Sequence, residues 1–230
     1  SPGPSRPRGG GRGGCARARR RAAPGAGRRC LNGPLAGRRL VAAFRAQNQH
    51  VDCFDITGLD EQSSTLKMIS VFLLQGQTVG CLRMAARFAP VALREIEAAM
   101  SEPGVRVPAA PASCAAMLAR KMGASEQHAV MAAGLAGGMG LSGGACGALG
   151  AAIWIEGMRI LEAGGQVPFK SPSALEVVGR FLKCTGYQFE CAEIARRRFE
   201  RVGDHSDYLR GGGCAKVRAG LAAGRAAARR

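Results

Sequence analysis

The sequence predicts an all-α protein, and three observations carry that prediction. Apolar residues make up 47% of the chain but aromatic residues only 5%, so small Ala and Gly supply much of the apolar fraction. Closely packed helices use that composition; an aromatic-rich β core does not. Apolar side chains also recur at helical spacing in several stretches, and Gly/Pro-rich segments at 101–112 and 163–173 separate them. With 230 residues there is room for one or two compact domains with real cores.

From the N-terminus, residues 1–39 are Arg/Gly/Pro/Ala low complexity with almost no aliphatic content. Such a segment cannot bury enough apolar surface to offset its ordering entropy. It reads as a disordered basic tail, or as out-of-frame translation of GC-rich DNA. Ordered sequence begins near Leu40, and residues 40–100 form a first unit. Residues 66–74 (LKMISVFLL) are an apolar run, and residues 81–100 carry Leu82, Ala85, Phe88, Ala92, Ile96 and Met100 on one helical face. Pro90 is expected to kink or divide that helix. Residues 101–112 (SEPGVRVPAAPA) are a linker.

A second unit spans residues 113–220, followed by a basic tail at 221–230. Helices are expected over 113–121 and 125–135, with Ser125 as an N-cap. Residues 129–155 form a 27-residue uncharged run that contains eight glycines. A membrane span has that length. Each interior glycine, however, costs a helix about 1 kcal/mol, so two buried helices joined by a glycine loop is the better expectation. Further helices are expected near 174–183 and 189–201. No strand precedes the glycines, so they do not form a dinucleotide-binding turn.

The formal charge of +17 is concentrated at the two ends. Residues 1–47 hold twelve Arg and no acid, and residues 216–230 hold five basic groups and no acid, which leaves residues 48–215 neutral. A folded nucleic-acid binder carries a basic stripe on its own domain, so nucleic acid is not expected as a partner of the core. No classical signal peptide is read in the sequence. Nine cysteines in a reducing compartment point to metal or redox chemistry rather than to disulfide staples, and a cytoplasmic location is expected.

An internal repeat organises the cysteines. VDCFDITG at 51–58 followed by FLLQGQTVGCLRMAARFA at 72–89 sets beside FECAEIAR at 189–196 followed by YLRGGGCAKVRAGLA at 208–222. Cys53 then matches Cys191 and Cys81 matches Cys214, so residues 40–100 read as the second half of an upstream module. Four cysteines define the complete module: Cys114, Cys146, Cys191 and Cys214. Each is expected near a helix start, where free N–H groups and the helix dipole favour thiolate, the form that ligates metal or attacks disulfides. Taken singly, each reads better as a small buried hydrophobe, since free Cys is among the most buried residue types. The repeat favours function for the set.

These residues resemble the C-GCAxxG-C-C family of putative redox-active proteins. The resemblance rests on SCAAMLARKMG (113–123), GLAGGMGLSGGACGALGAA (134–152), FECAEI (189–194) and GGGCAKV (211–217). Here Gly150 falls two residues beyond Ala148, where the family places glycine at three. The resemblance implies similarity to split-Soret-type cytochromes in this domain, with an iron–sulfur cluster, of 2Fe–2S type among others, held by Cys114, Cys146, Cys191 and Cys214. Gly144 and Gly147 would let backbone approach it, and Cys53 and Cys81 would be remnants or ligands of a second site. No CxxCH occurs, so no c-type haem is expected.

The function expected is electron transfer or redox sensing, with an unidentified redox partner or a second copy as binding partner. One rival is a thiol–disulfide oxidoreductase using Cys184 with Cys191, or a longer-range pair; Cys184 is expected two turns before Cys191 on the same helix. Another is a non-redox protein whose Arg-rich tail binds RNA or anionic lipid. His50, His128 and His205 are scattered and read as surface or capping residues, and Trp154 reads as core.

Overall fold

The computed structural model describes residues 26–60, 62–102 and 112–227. Among the described residues eleven α-helices occur in order: α1 (Ala26–Asn48), α2 (Cys53–Thr57), α3 (Thr65–Ile69), α4 (Gln77–Ser101), α5 (Cys114–Lys121), α6 (Glu126–Ala132), α7 (Gly147–Glu162), α8 (Pro172–Thr185), α9 (Cys191–Ala195), α10 (Val202–Arg210) and α11 (Ala215–Ala227). A π-helical segment (Ser70–Leu74) continues α3, and a 3-10 turn (Ala133–Leu135) ends α6. The all-α expectation holds. Among the described residues the one departure is an isolated antiparallel bridge between Ala145 and Glu190.

The core lies in residues 112–227. Helices α5 and α7 pack on each other, α8 packs on α11, and α11 crosses both α5 and α7. Leu118, Met122, Ile155, Val177, Phe181 and Leu221 are its largest enclosed apolar side chains. Alanines fill the rest: Ala115, Ala119, Ala129, Ala151 and Ala152 are fully buried, as expected of closely approaching helices. Within this core region three serines start helices by accepting N–H bonds, as Ser64 does from Lys67 before α3. Ser113 accepts from Ala116, Ser125 from His128, and Ser171 from Ala174.

Several expectations need correction. Residues 26–39, read as tail, belong to α1, which carries Pro34 inside it; residues 1–25 lie outside the described residues. The reason for the helix is tertiary. A Cβ placed on Gly37 would lie 2.8 Å from the Gly134 carbonyl oxygen, and one on Gly140 would lie 2.2 Å from the Gly37 carbonyl carbon. Glycines therefore let α1 meet the loop after α6 backbone to backbone, an approach that composition alone counts against a helix. Pro90 does not divide α4, which runs through it. The basic tail expected at 221–230 is helical to Ala227, and Leu221 is enclosed.

The helix expected over 189–201 ends at Ala195, because Arg196 adopts a left-handed conformation, φ 54°. Cys184 and Cys191 thus lie on different helices, separated by the left-handed Gly186 that stops α8. The long uncharged run is a helix, a glycine loop and a second helix, and among the described residues no helix is long and apolar enough to cross a membrane. His205 is on α10 and 2% exposed, not in a surface turn.

Candidate functional site

The four cysteines of the second unit come from four helix starts. Cys114 is the first residue of α5, Cys146 the N-cap of α7, Cys191 the first residue of α9, and Cys214 directly precedes α11. The sequence predicted those placements; what assembles them is the glycine loop. Around the Ala145–Glu190 bridge, Cys146 N–H donates to the Phe189 carbonyl at 2.9 Å, and Cys191 N–H donates to the Gly144 carbonyl at 2.7 Å. Ala192 N–H adds a bond to Gly143 at 2.9 Å. This lacing holds the starts of α7 and α9 together. A Cβ on Gly138 would stand 2.9 Å from Cys191 Cβ and 2.5 Å from the Gly144 oxygen, so the loop closes against the cysteine with no room for a side chain.

Gly144 thus contributes the carbonyl that fixes Cys191. Gly147 has a separate reason for lacking a side chain: a Cβ there would fall 1.6 Å from the Leu135 carbonyl oxygen. Cys214 sits at φ 55°, a left-handed conformation that a non-glycine residue adopts at a cost. Tyr208 Oη lies 3.9 Å from its sulfur, and the Tyr208 ring fills the space beside Gly213.

Every pair among the four thiols interacts electrostatically. Burial pushes Cys114 up to about 12, against N–H bonds from Gly137 and Ala115 and with further repulsion from Cys146 and Cys214. Cys191 is also raised to about 12, by burial first and then by Cys114, Cys146 and Cys214. Burial raises Cys146 against N–H bonds from Leu149 and Ala148. It raises Cys214 despite the Tyr208 hydroxyl and the Arg218 charge. The sequence expectation of thiolates at helix starts is therefore reversed in this state. The N–H groups are present, but desolvation outweighs them.

The remaining candidates do not join the set. Cys53 is exposed and Cys81 is half-buried inside α4, accepting from Gln77 Nε2 at 3.9 Å. Cys15 lies outside the described residues. Cys184 rests against Gly220, where a Cβ would be 2.2 Å from its sulfur. His128 stacks edge-on to Trp154 at 5.4 Å, and His50 stands 3.8 Å from Asp55. His205 is packed edge-on to Phe199 at 4.9 Å and driven down to about 4 by burial and then by Arg218. Sequence reasoning missed that histidine's enclosure and the tyrosine beside Cys214. Among the described residues no group of three or more His, Cys, Asp or Glu is arranged to hold a metal ion.

Comparison with curated proteins and with solved structures returns no match. The family model described as putative redox-active protein (C_GCAxxG_C_C) matches residues 111–224, the span that contains all four coupled cysteines, and that span is a domain of this family.

Proposed function

We propose that the four-cysteine domain is an electron-transfer or redox-sensing module in which Cys114, Cys146, Cys191 and Cys214 hold an iron–sulfur cluster. The observation that carries the reading is the convergence of four thiols, all coupled to one another, from four separate helix starts. Four cysteines are the usual donor set of such clusters. No carboxylate or imidazole is among the groups that shift them.

When bound, the cluster would supply reversible electron acceptance. The protein's own residues do the rest. Amides of Gly137, Ala148 and Leu149 donate to the sulfurs and disperse thiolate charge. Ala115, Ala148 and Ala151 keep water from Cys114 and Cys146. Tyr208 and Arg218 bias Cys214, the member of the four that lines, with Cys184, the cavity between α9 and the start of α11. The high thiol values argue against the disulfide-exchange alternative, because an exchanging cysteine needs a lowered pKa and access. A cationic centre inverts that logic by binding the deprotonated thiolates.

Anaerobic purification with iron and sulfide analysis and a visible spectrum tests the reading. Replacing Cys114, Cys146, Cys191 or Cys214 singly by Ser should remove most bound iron and the visible absorbance. Cys53→Ser should retain both. Wild type that binds no iron under anaerobic reconstitution sinks the proposal.

A further inference from the structure

One cavity gathers groups that the four-cysteine set does not use. It measures about 660 Å3, within the range of pockets that hold small ligands, and four helices contribute to it. Cys184 comes from the last turn of α8 and Glu193 from α9. Arg196 stops α9, Tyr208 belongs to α10, and Cys214 and Lys216 flank the start of α11. Arg196 at φ 54° and Cys214 at φ 55° are non-glycine residues in the left-handed region. Such positions carry backbone strain, which concentrates at functional sites.

The two thiols of the cavity differ in standing. Cys214 is one of the four coupled cysteines, whereas Cys184 is not among the groups that shift any of them. Cys184 is half-buried, and its sulfur sits where Gly220 of α11 lacks a side chain, since a Cβ there would lie 2.2 Å away. The charges around it are unpaired. Arg201 and Arg210, on the neighbouring stretch, pair with Asp204 and Asp207. Arg196, Lys216 and Glu193, which line the cavity, make no ion pair among the described residues. Two cations and one carboxylate complement a ligand with two carboxylates and one ammonium. Thr185 and Gln188 add a hydroxyl and a carboxamide, which suit peptide groups.

We infer that this cavity is a modification site, in which Cys184 takes up a low-molecular-weight peptide thiol carrying two carboxylates and one ammonium, delivered as its disulfide. The Cys184 sulfur attacks one sulfur of the small disulfide. The S–S bond between its halves breaks, a new one joins Cys184 to one half, and the other half leaves as a thiol with the proton that Cys184 gives up. Cys184 is oxidised and the departing half is reduced, so the small disulfide is the oxidant. Holding the disulfide by its charged ends turns a slow bimolecular exchange into a step within one complex. The adduct sets an anionic peptide beside Cys214, and through it the redox state of the small thiol is felt at the edge of the four-cysteine set. The inference stands on the cavity and does not depend on the cluster.

The probe is the disulfide of γ-glutamyl-cysteinyl-glycine, added to the full chain, with adducts located by peptide mass mapping. Exposed Cys53 is the internal reference for unassisted exchange. Cys184 should be modified faster than Cys53 by about tenfold or more, the advantage expected of a held reactant. Its rate should saturate as the disulfide is raised, and dithiothreitol should remove the adduct. Cystamine, a disulfide with ammonium ends and no carboxylate, should show no preference for Cys184. The double variant Arg196→Gln, Lys216→Gln should lose the preference for the tripeptide disulfide while Cys53 reacts as before; both side chains are exposed, and the cystamine comparison on the wild type needs no variant. The inference is overturned if Cys53 reacts as fast as Cys184, if cystamine shows the same preference, if the double variant keeps it, or if the first adduct is on Cys214. Iron content measured in parallel reports on the cluster independently, since neither Cys184 nor Cys53 is one of the four.

Discussion

Helix pairs α8–α11 and α1–α4 each pack against one another, and their surroundings make them different objects. Phe181 is enclosed by α7, α11 and the Phe189 ring at 5.7 Å. Phe44 has one ring neighbour, Phe88. Around the first pair lie the four coupled thiols. Around the second, Leu66, Leu73, Leu74 and Leu82 are all more than 60% exposed. A helix pair with a pattern is thus not yet a core. What turns it into one is the hairpin whose helices start on Cys114 and just after Cys146, and the same hairpin brings two of the four sulfurs. Burial and site are built by one docking event, so the region without the hairpin has neither.

The comparison is broken or confirmed most sharply by truncating the two phenylalanines. Phe181→Ala removes an enclosed ring and leaves a cavity, which should cost about 3–5 kcal/mol in chemical denaturation. Phe44→Ala removes a half-exposed ring and should cost about 1 kcal/mol, since the transfer from water is incomplete. Equal losses would show that the α1–α4 pair is enclosed in solution.

Much of this contrast was legible in the sequence, for identifiable reasons. Ser125 announced a helix start because a side-chain oxygen there satisfies an otherwise free N–H. The spacing of cysteines and glycines announced the four helix starts that carry sulfur. Three things were not legible. Helix α1 begins at Ala26 because Gly33 and Gly37 fit the glycine loop, and a propensity reading counts the same residues as breakers. Arg196 ends α9 in a conformation its side chain does not advertise. The thiol values follow from packing around Cys114 and Cys191, and helix-start reasoning alone gives the opposite sign.

A second distinction comes from pH. His205, in the enclosed region, is held to about 4 against an ordinary 6.5, by burial and then by Arg218. Above 6.5 the imidazole is neutral in both folded and unfolded chains and costs nothing. As pH falls from 6.5 towards 4 the unfolded chain takes the proton and the folded one does not, so stability is lost across that window. The full loss is about 3 kcal/mol. His205→Gln should flatten the slope of stability between pH 6.5 and 4. An unchanged slope would show that another group governs the acid loss.

The smallest expected effect compares how the two regions start their helices. Ser125 Oγ accepts from the His128 N–H at 3.1 Å, whereas Asp52, before α2, makes no side-chain bond to its helix. Ser125→Ala therefore orphans a donor at the start of α6 and should cost about 1 kcal/mol. Asp52→Ala removes no such bond, and what it loses is a carboxylate near a five-residue helix, worth about 0.3 kcal/mol where exposed. The ratio matters more than either value. The cap of α6 is coupled to the core through Ala129 and Ala132, buried one and two turns on, so fraying there opens the wall behind Leu118. Helix α2 has no buried residue, so its fraying opens nothing. Hydrogen exchange of the amides at 126–132 should accelerate in Ser125→Ala together with those of α5, while in Asp52→Ala acceleration stays within 53–57. Acceleration of α5 in Asp52→Ala would mean that the two regions share one cooperative unit.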